Sequence, residues 1–269
     1  MGIMGVLLRV LFIGDVVGQP GRRILKSRLQ DLKSNLSVDC CIANAENCAA
    51  GLGVSVSILR DMKSFGVDVF TLGNHTFFRP DALRFLDSEH DVVRPSNVSP
   101  DWPGFDHVLF DGKEKGKVLV LNLMGQVNMD PCDSPFREAD RLIDLYRERY
   151  QTRMVVLDFH AEATSEKLAM GYYLDGRASL VLGTHTHVQT ADERILERGT
   201  GHITDVGMTG ALNSVLGMDV TVSLRRLAER LPAPYQTAEG LAMINAVVAD
   251  IDPVSGRCVD ISRIRIVEG

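Results

Sequence analysis

Five strand-like runs in this chain each stop at a motif rich in carboxylate, carboxamide or imidazole side chains. Val6–Ile13 ends at Gly14-Asp15, Asp39–Ala45 at Glu46-Asn47, and Val67–Leu72 at Gly73-Asn74-His75. Met154–Asp158 ends at Phe159-His160, and Ala178–Leu182 leads into Gly183-Thr184-His185-Thr186-His187. Short apolar runs bounded by turn residues read as buried strands. Between them lie helical patterns over Gly21–Lys33, Ser55–Phe65, Asp81–Ser88, Phe136–Tyr150 and Ser165–Tyr173. In Gly21–Lys33, for example, Ile24, Leu25, Leu29 and Leu32 fall on one helical face. Alternation of this kind requires an α/β layered fold. In such folds ligands sit beyond the carboxyl ends of strands, which places all five motifs on one rim.

The rhythm changes elsewhere. His107–Phe110 and Lys117–Leu123 read as antiparallel strands around Asp111–Gly116. Arg194–Leu196 and His202–Asp205 form a second hairpin, and Val220–Leu231 a helix. Leu241–Asp250 and Arg257–Val267 close the chain as a hairpin around Asp252–Gly256. The expected architecture is two sheets between helices. With 269 residues, 45% of them hydrophobic, and no linker, repeat or low-complexity block, one domain over residues 1–269 is expected.

A net charge of −6 argues against a protein that coats nucleic acid, which needs a basic stripe. Small phosphate ligands remain compatible, because bound cations reverse the local field. The five cysteines have no CxxC spacing, and Cys40-Cys41 are adjacent, so a disulfide framework is not expected and a reducing cytoplasm fits. The run Val6–Ile13 is too short to span a bilayer and lacks a cleavage-site pattern, and no later run is long enough to span one.

The rim residues are Asp15, Glu46, Asn47, Asn74, His75, His160, His185 and His187. Each has an ordinary reading when taken alone. Asp15 would cap the following helix, Glu46-Asn47 and Asn74-His75 would be turn residues, and His160 a buried structural histidine. Together at five strand ends they form a mixed oxygen and nitrogen donor set, which suits iron, manganese or zinc better than calcium or magnesium. Seven donors exceed one tetrahedral zinc and suit two metals bridged by a carboxylate, roughly 3.5–4 Å apart. His185 and His187, two residues apart, are expected to point the same way from extended backbone.

Gly14-Asp15, Gly73-Asn74-His75 and Gly183–His187 resemble the calcineurin-like metallophosphoesterases. Where that superfamily usually has Asp-x-His and Gly-Asp, this chain has Asp15-Val16-Val17 and Ala45-Glu46-Asn47. That departure resembles the YmdB-type cyclic-nucleotide phosphodiesterases. Arg94-Pro95, Asp158–Lys167, Gly183–Asp192 and Asp205–Gly210 match as well, so the likeness runs from Val10 to about Asp250. It implies a four-layer α/β/β/α sandwich of two mixed sheets with a dinuclear centre. Asp15, Asn47 and His187 would hold one metal, and Asn74, His160 and His185 the other. Glu46 would bridge, and His75 would stand beside the metals as a catalytic residue. Two departures, Cys48–Gly53 in place of a glycine-rich loop and Ala211 in place of a common proline, remove no ligand.

The chemistry expected of such a site is phosphodiester hydrolysis. A hydroxide bridging the metals attacks phosphorus, the cations stabilise the in-line transition state, and His75 protonates the departing ribose oxygen. The resemblance points to 2′,3′-cyclic nucleotides, with 3′,5′-cyclic ones as a further option, and to iron ahead of manganese or zinc. The substrate-binding residues are not legible. A phosphomonoesterase or nucleotidase on the same scaffold, or a regulator acting through a partner, are the competing readings. A homo-oligomer is a family-level expectation, and neither membrane nor stable nucleic-acid binding is expected. Glu162 two residues after His160 reads equally as a ligand-orienting acceptor or a solvated charge.

Overall fold

Two mixed sheets pack face to face, with helices covering both outer faces. The structure is a computed structural model, and it describes residues 6–269. In chain order, β1 (Leu8–Ile13) and the two-residue β2 (Asp15–Val16) precede α1 (Gly18–Leu36), β3 (Cys40–Asn44) and α2 (Val56–Ser64). Next come β4 (Val69–Thr71), α3 (Ala82–Phe85), β5 (Val92–Val93), β6 (Val108–Asp111), β7 (Lys117–Met124) and α4 (Pro135–Tyr150). β8 (Met154–His160), α5 (Thr164–Tyr173), β9 (Leu180–Thr184), β10 (Arg194–Ile195), β11 (Gly201–Ile203) and β12 (Met208–Ala211) follow. The chain closes with α6 (Val220–Leu227), β13 (Ala242–Ile251) and β14 (Cys258–Val267).

The first sheet has the order β2-β12-β13-β1-β3-β4-β5, with β14 on the other side of β13. The second runs β10-β11-β9-β8-β7-β6. β1, β3, β4 and β5 are mutually parallel, as are β7, β8, β9 and β11. Antiparallel partners at the edges make both sheets mixed.

The four layers follow from side-chain alternation. In β1, Leu11 and Ile13 enter the core beneath α1, where Ile24, Leu25 and Leu29 meet them. Leu8, Val10 and Phe12 of the same strand face the opposite sheet, against residues such as Val118, Val120 and Val156. In β7, Leu119, Leu121 and Leu123 turn outward to Leu142 and Ile143 of α4. Strands buried on both faces are near-continuous apolar runs, which is why they are readable as strands.

Several boundaries differ from the expected ones. Asp15 does not cap a helix: it opens β2, which pairs in parallel with Met208–Thr209 of β12. α1 starts at Gly18 rather than Gly21. The helix expected over Val220–Leu231 stops at Leu227, and Arg230 has φ 59°. Pro232 lies two residues on, and a proline disfavours helix before it. Among the described residues no helix is long and apolar enough to cross a membrane. All five cysteines are free thiols.

Candidate metal centre

The parallel strands of both sheets end on one side of the sandwich, and all eight rim residues named from the sequence meet there. Around His160 Nε2 lie Asn74 Oδ1 at 3.0 Å, His185 Nδ1 at 3.1 Å and Glu46 Oε1 at 3.3 Å. Donors sharing one cation at about 2.1 Å stand roughly 3.0–3.4 Å from each other, so this spacing suits a common ion. Glu46, His160 and His185 form the tight donor cluster. The second group is looser. His187 Nε2 lies 3.8 Å from Asp15 Oδ1 and 3.2 Å from Asn47 Nδ2. Asp15 Oδ1 is buried with no hydrogen-bond partner among the described residues, a costly state that a cation would relieve.

Hydrogen bonds behind the rim fix which nitrogen of each imidazole faces inward. Thr184 Oγ1 donates to Asp158 Oδ1 at 2.6 Å, so it accepts from His160 Nδ1 at 2.8 Å. Leu216 O, which can only accept, lies 3.0 Å from His187 Nδ1. Glu162 Oε2 lies 3.1 Å from His185 Nε2. Each ring therefore spends one N–H on an oxygen and turns its other nitrogen toward the cluster, the arrangement that orients metal-ligating histidines. Glu162 is thus in contact with His185. Asp158 also accepts from Asn44 Nδ2 at 2.9 Å and Thr71 Oγ1 at 2.5 Å, which ties the two sheets together beneath the site. Burial pushes the Asp158 carboxyl up to about 6.

His75 stands to one side. Its ring is about a quarter exposed at 28%, and Nδ1 lies 2.9 Å from Asn47 Oδ1 and 3.2 Å from Glu46 Oε1. Asn47 Nδ2 faces Glu46 Oε1 at 2.9 Å as well as His187. An amide nitrogen has no lone pair for a metal, so Asn47 offers a ligand beside His187 only with its amide turned over.

The His185 and His187 pair departs from the expected geometry. β9 ends at Thr184, and the two histidines have φ 98° and 67° rather than extended values. Left-handed backbone at residues other than glycine costs about 1–3 kcal/mol each and persists only where neighbours hold it. Here Asp205 Oδ2 accepts from Thr186 N at 3.1 Å and Thr186 Oγ1 at 2.6 Å. Asp205 is itself paired with Lys167 at 2.6 Å, and both side chains are only 1% exposed. Lys167 and Asp205 belong to the family-like stretches, but their pairing across 38 residues has no local signal.

Charge within the cluster is polarised. Burial opposes ionisation of Glu46, yet His160 and His75 hold its carboxyl well below the usual range. Burial would lower His160, but Glu46 outweighs it and raises the imidazole to about 9. Burial and the neighbouring His160 drive His185 down to about 3. Burial raises Asp15, against the pull of His187 and His160.

Gly73 leaves the room these groups need. A Cβ there would lie 2.3 Å from Glu46 Oε2 and 2.4 Å from His160 Nε2. Gly73→Ala is therefore expected to abolish stoichiometric metal binding while the fold persists. Elemental analysis and circular dichroism test this, and wild-type metal content in the variant would refute it.

The two-sheet sandwich and its donor rim are those of a hydrolytic enzyme of the metallophosphoesterase class. The sequence profile of the YmdB-like proteins matches residues 11–264, and the chain belongs to that family. It is 46% identical over 261 residues to a 2′,3′-cyclic-nucleotide 2′-phosphodiesterase of Bacillus subtilis, covering 96% of this chain and 97% of that one. Two solved structures superpose closely. A hypothetical protein of Thermus thermophilus has a TM-score of 0.90 at 42% identity, covering 97% of this chain and 100% of that one. A novel phosphatase of Mycoplasma pneumoniae has a TM-score of 0.91 at 35% identity, covering 98% of this chain and 95% of that one.

Proposed function

We propose that the chain is a dinuclear-metal phosphodiesterase that opens 2′,3′-cyclic nucleotides to nucleoside monophosphates. The observation that carries the metal reading is the convergence of three imidazole nitrogens, each ring tied by its other nitrogen to an oxygen. The substrate reading draws on the name of the Bacillus subtilis relative. Asn74, His160 and His185 would hold one ion, Asp15, Asn47 and His187 the other, with Glu46 between them. Bound cations supply Lewis-acid charge for the phosphate oxygens and acidify water near neutral pH. Iron is the first candidate for this mixed donor set, and manganese and zinc are the alternatives.

The protein's own contribution is placement and proton delivery. The ties to Thr184, Leu216 and Glu162 keep the rings aimed without rearrangement. Glu46 engages His75 Nδ1 whichever way the Asn47 amide faces, which leaves Nε2 to protonate the departing ribose oxygen. The five free thiols support a cytoplasmic setting.

The test is metal analysis of anaerobically purified protein, coupled to a panel of 2′,3′-cyclic nucleotides, 3′,5′-cyclic nucleotides and nucleoside monophosphates. Two metal equivalents and a preference for the 2′,3′-cyclic compounds are expected. Metal-loaded protein that hydrolyses only the monophosphates would establish a phosphomonoesterase instead. Loading also displaces the proton on His160, whose imidazole is raised to about 9. Below that pH, apparent metal affinity is expected to fall about tenfold per unit of acidification, because one proton competes with each ion bound there.

A further inference from the structure

We propose that the cavity flanking His187 seats the nucleobase of the substrate whose phosphate occupies the metal-donor rim. This rests on the phosphodiesterase reading above. The cavity has a volume of about 380 Å³, and His187, Met208, Leu212, Met243, Asn245 and Arg265 line it. Small-ligand sites span roughly 300–1,000 Å³. His187 belongs to both places: its Nε2 faces Asp15 and Asn47, and the residue also forms part of the cavity wall.

The hollow follows from strand alternation at the start of β13. Ile244 and Ala246 enter the core on the helix side, so Met243 and Asn245 project from the opposite face. Further along β13, Val247, Ala249 and Ile251 on that face are covered in the core between the sheets. Met243 and Asn245 lie outside that core and border the cavity instead. On β14, Arg265 pairs in register with Asn245 and joins the same wall.

The lining matches a flat heteroaromatic ring. Thioethers and a leucine present polarisable apolar surface, which methionine sulfur makes favourable for aromatic rings. Asn245 is 3% exposed, donates through Nδ2 to Met208 O at 3.0 Å, and leaves Oδ1 without a partner among the described residues. That oxygen is enclosed by the wall, so an amino group or ring N–H of a base would reach it only once the Asn245 amide turns outward. Arg263 is occupied by Glu193 at 2.6 Å, whereas Arg265 has no ion-pair partner among the described residues. A free guanidinium plane can stack on a base. A phosphoester without a base would leave these groups unused.

The experiment compares kcat/KM of metal-loaded protein for adenosine 2′,3′-cyclic phosphate and for its base-free counterpart, methyl riboside 2′,3′-cyclic phosphate. Wild type is expected to prefer the nucleotide by at least about tenfold, the scale of one stacked base. Met243→Trp, which fills the cavity, and Arg265→Glu, at an exposed position, are each expected to cut that preference to about threefold or less, mainly through KM. A wild type without preference, or a preference unchanged in both variants, would overturn the proposal and leave the phosphodiesterase reading standing. Failure of metal-loaded wild type to turn over either compound would overturn that reading and this proposal together.

Discussion

Replacing His75 by alanine is expected to lower turnover of a cyclic nucleotide by about 10²–10⁴-fold while metal content stays at the wild-type level. The imidazole sits beside the donor cluster, held at Nδ1 by Asn47 and Glu46, and is the only one of the four rim imidazoles not aimed into the cluster by a tie on its outer nitrogen. A general acid matters most when the departing oxygen is a poor leaving group. Bis-p-nitrophenyl phosphate, with its acidic leaving phenol, should therefore suffer much less than a ribose ester. An equal loss on both substrates would count against proton donation by His75. Loss of metal from the variant would place His75 in the coordination shell instead.

Lys167→Met is expected to destabilise the protein by about 3–5 kcal/mol, because it leaves the Asp205 carboxylate buried without its cation. Both side chains are almost fully enclosed, so water cannot replace the lost partner. The damage should reach the metal rim, since Asp205 holds Thr186 between the two left-handed histidines. Urea unfolding of the metal-free and metal-loaded variant measures both effects. A midpoint within experimental error of wild type would show that the pair does not sustain this loop.

Much of this arrangement was legible because burial leaves a mark on sequence. Strands such as Lys117–Met124 are apolar on both faces, and their ends are marked by the polar residues that solvent or a ligand must meet. All eight rim residues could therefore be named, and the chain brings them together. The supporting structure was much less legible. β2 has two residues and pairs with β12 nearly two hundred positions away, so no local pattern announces either. The contacts that orient the rings come from Thr184, Leu216 and Glu162, with Asp158 behind Thr184, and one of these is a backbone carbonyl that no sequence motif encodes. The left-handed turns at His185 and His187 violate the local preference of histidine, and only long-range contacts reveal what holds them.

The donor groups are divided between the two sheets. Asp15, Glu46, Asn47 and Asn74 follow strands of the first sheet, and His160, His185 and His187 come from the second. Each proposed ion would draw ligands from both, so neither half could form a complete coordination sphere alone. Metal uptake would then add a link between two sheets that already share an apolar core. A chelator would then lower resistance to urea as well as activity.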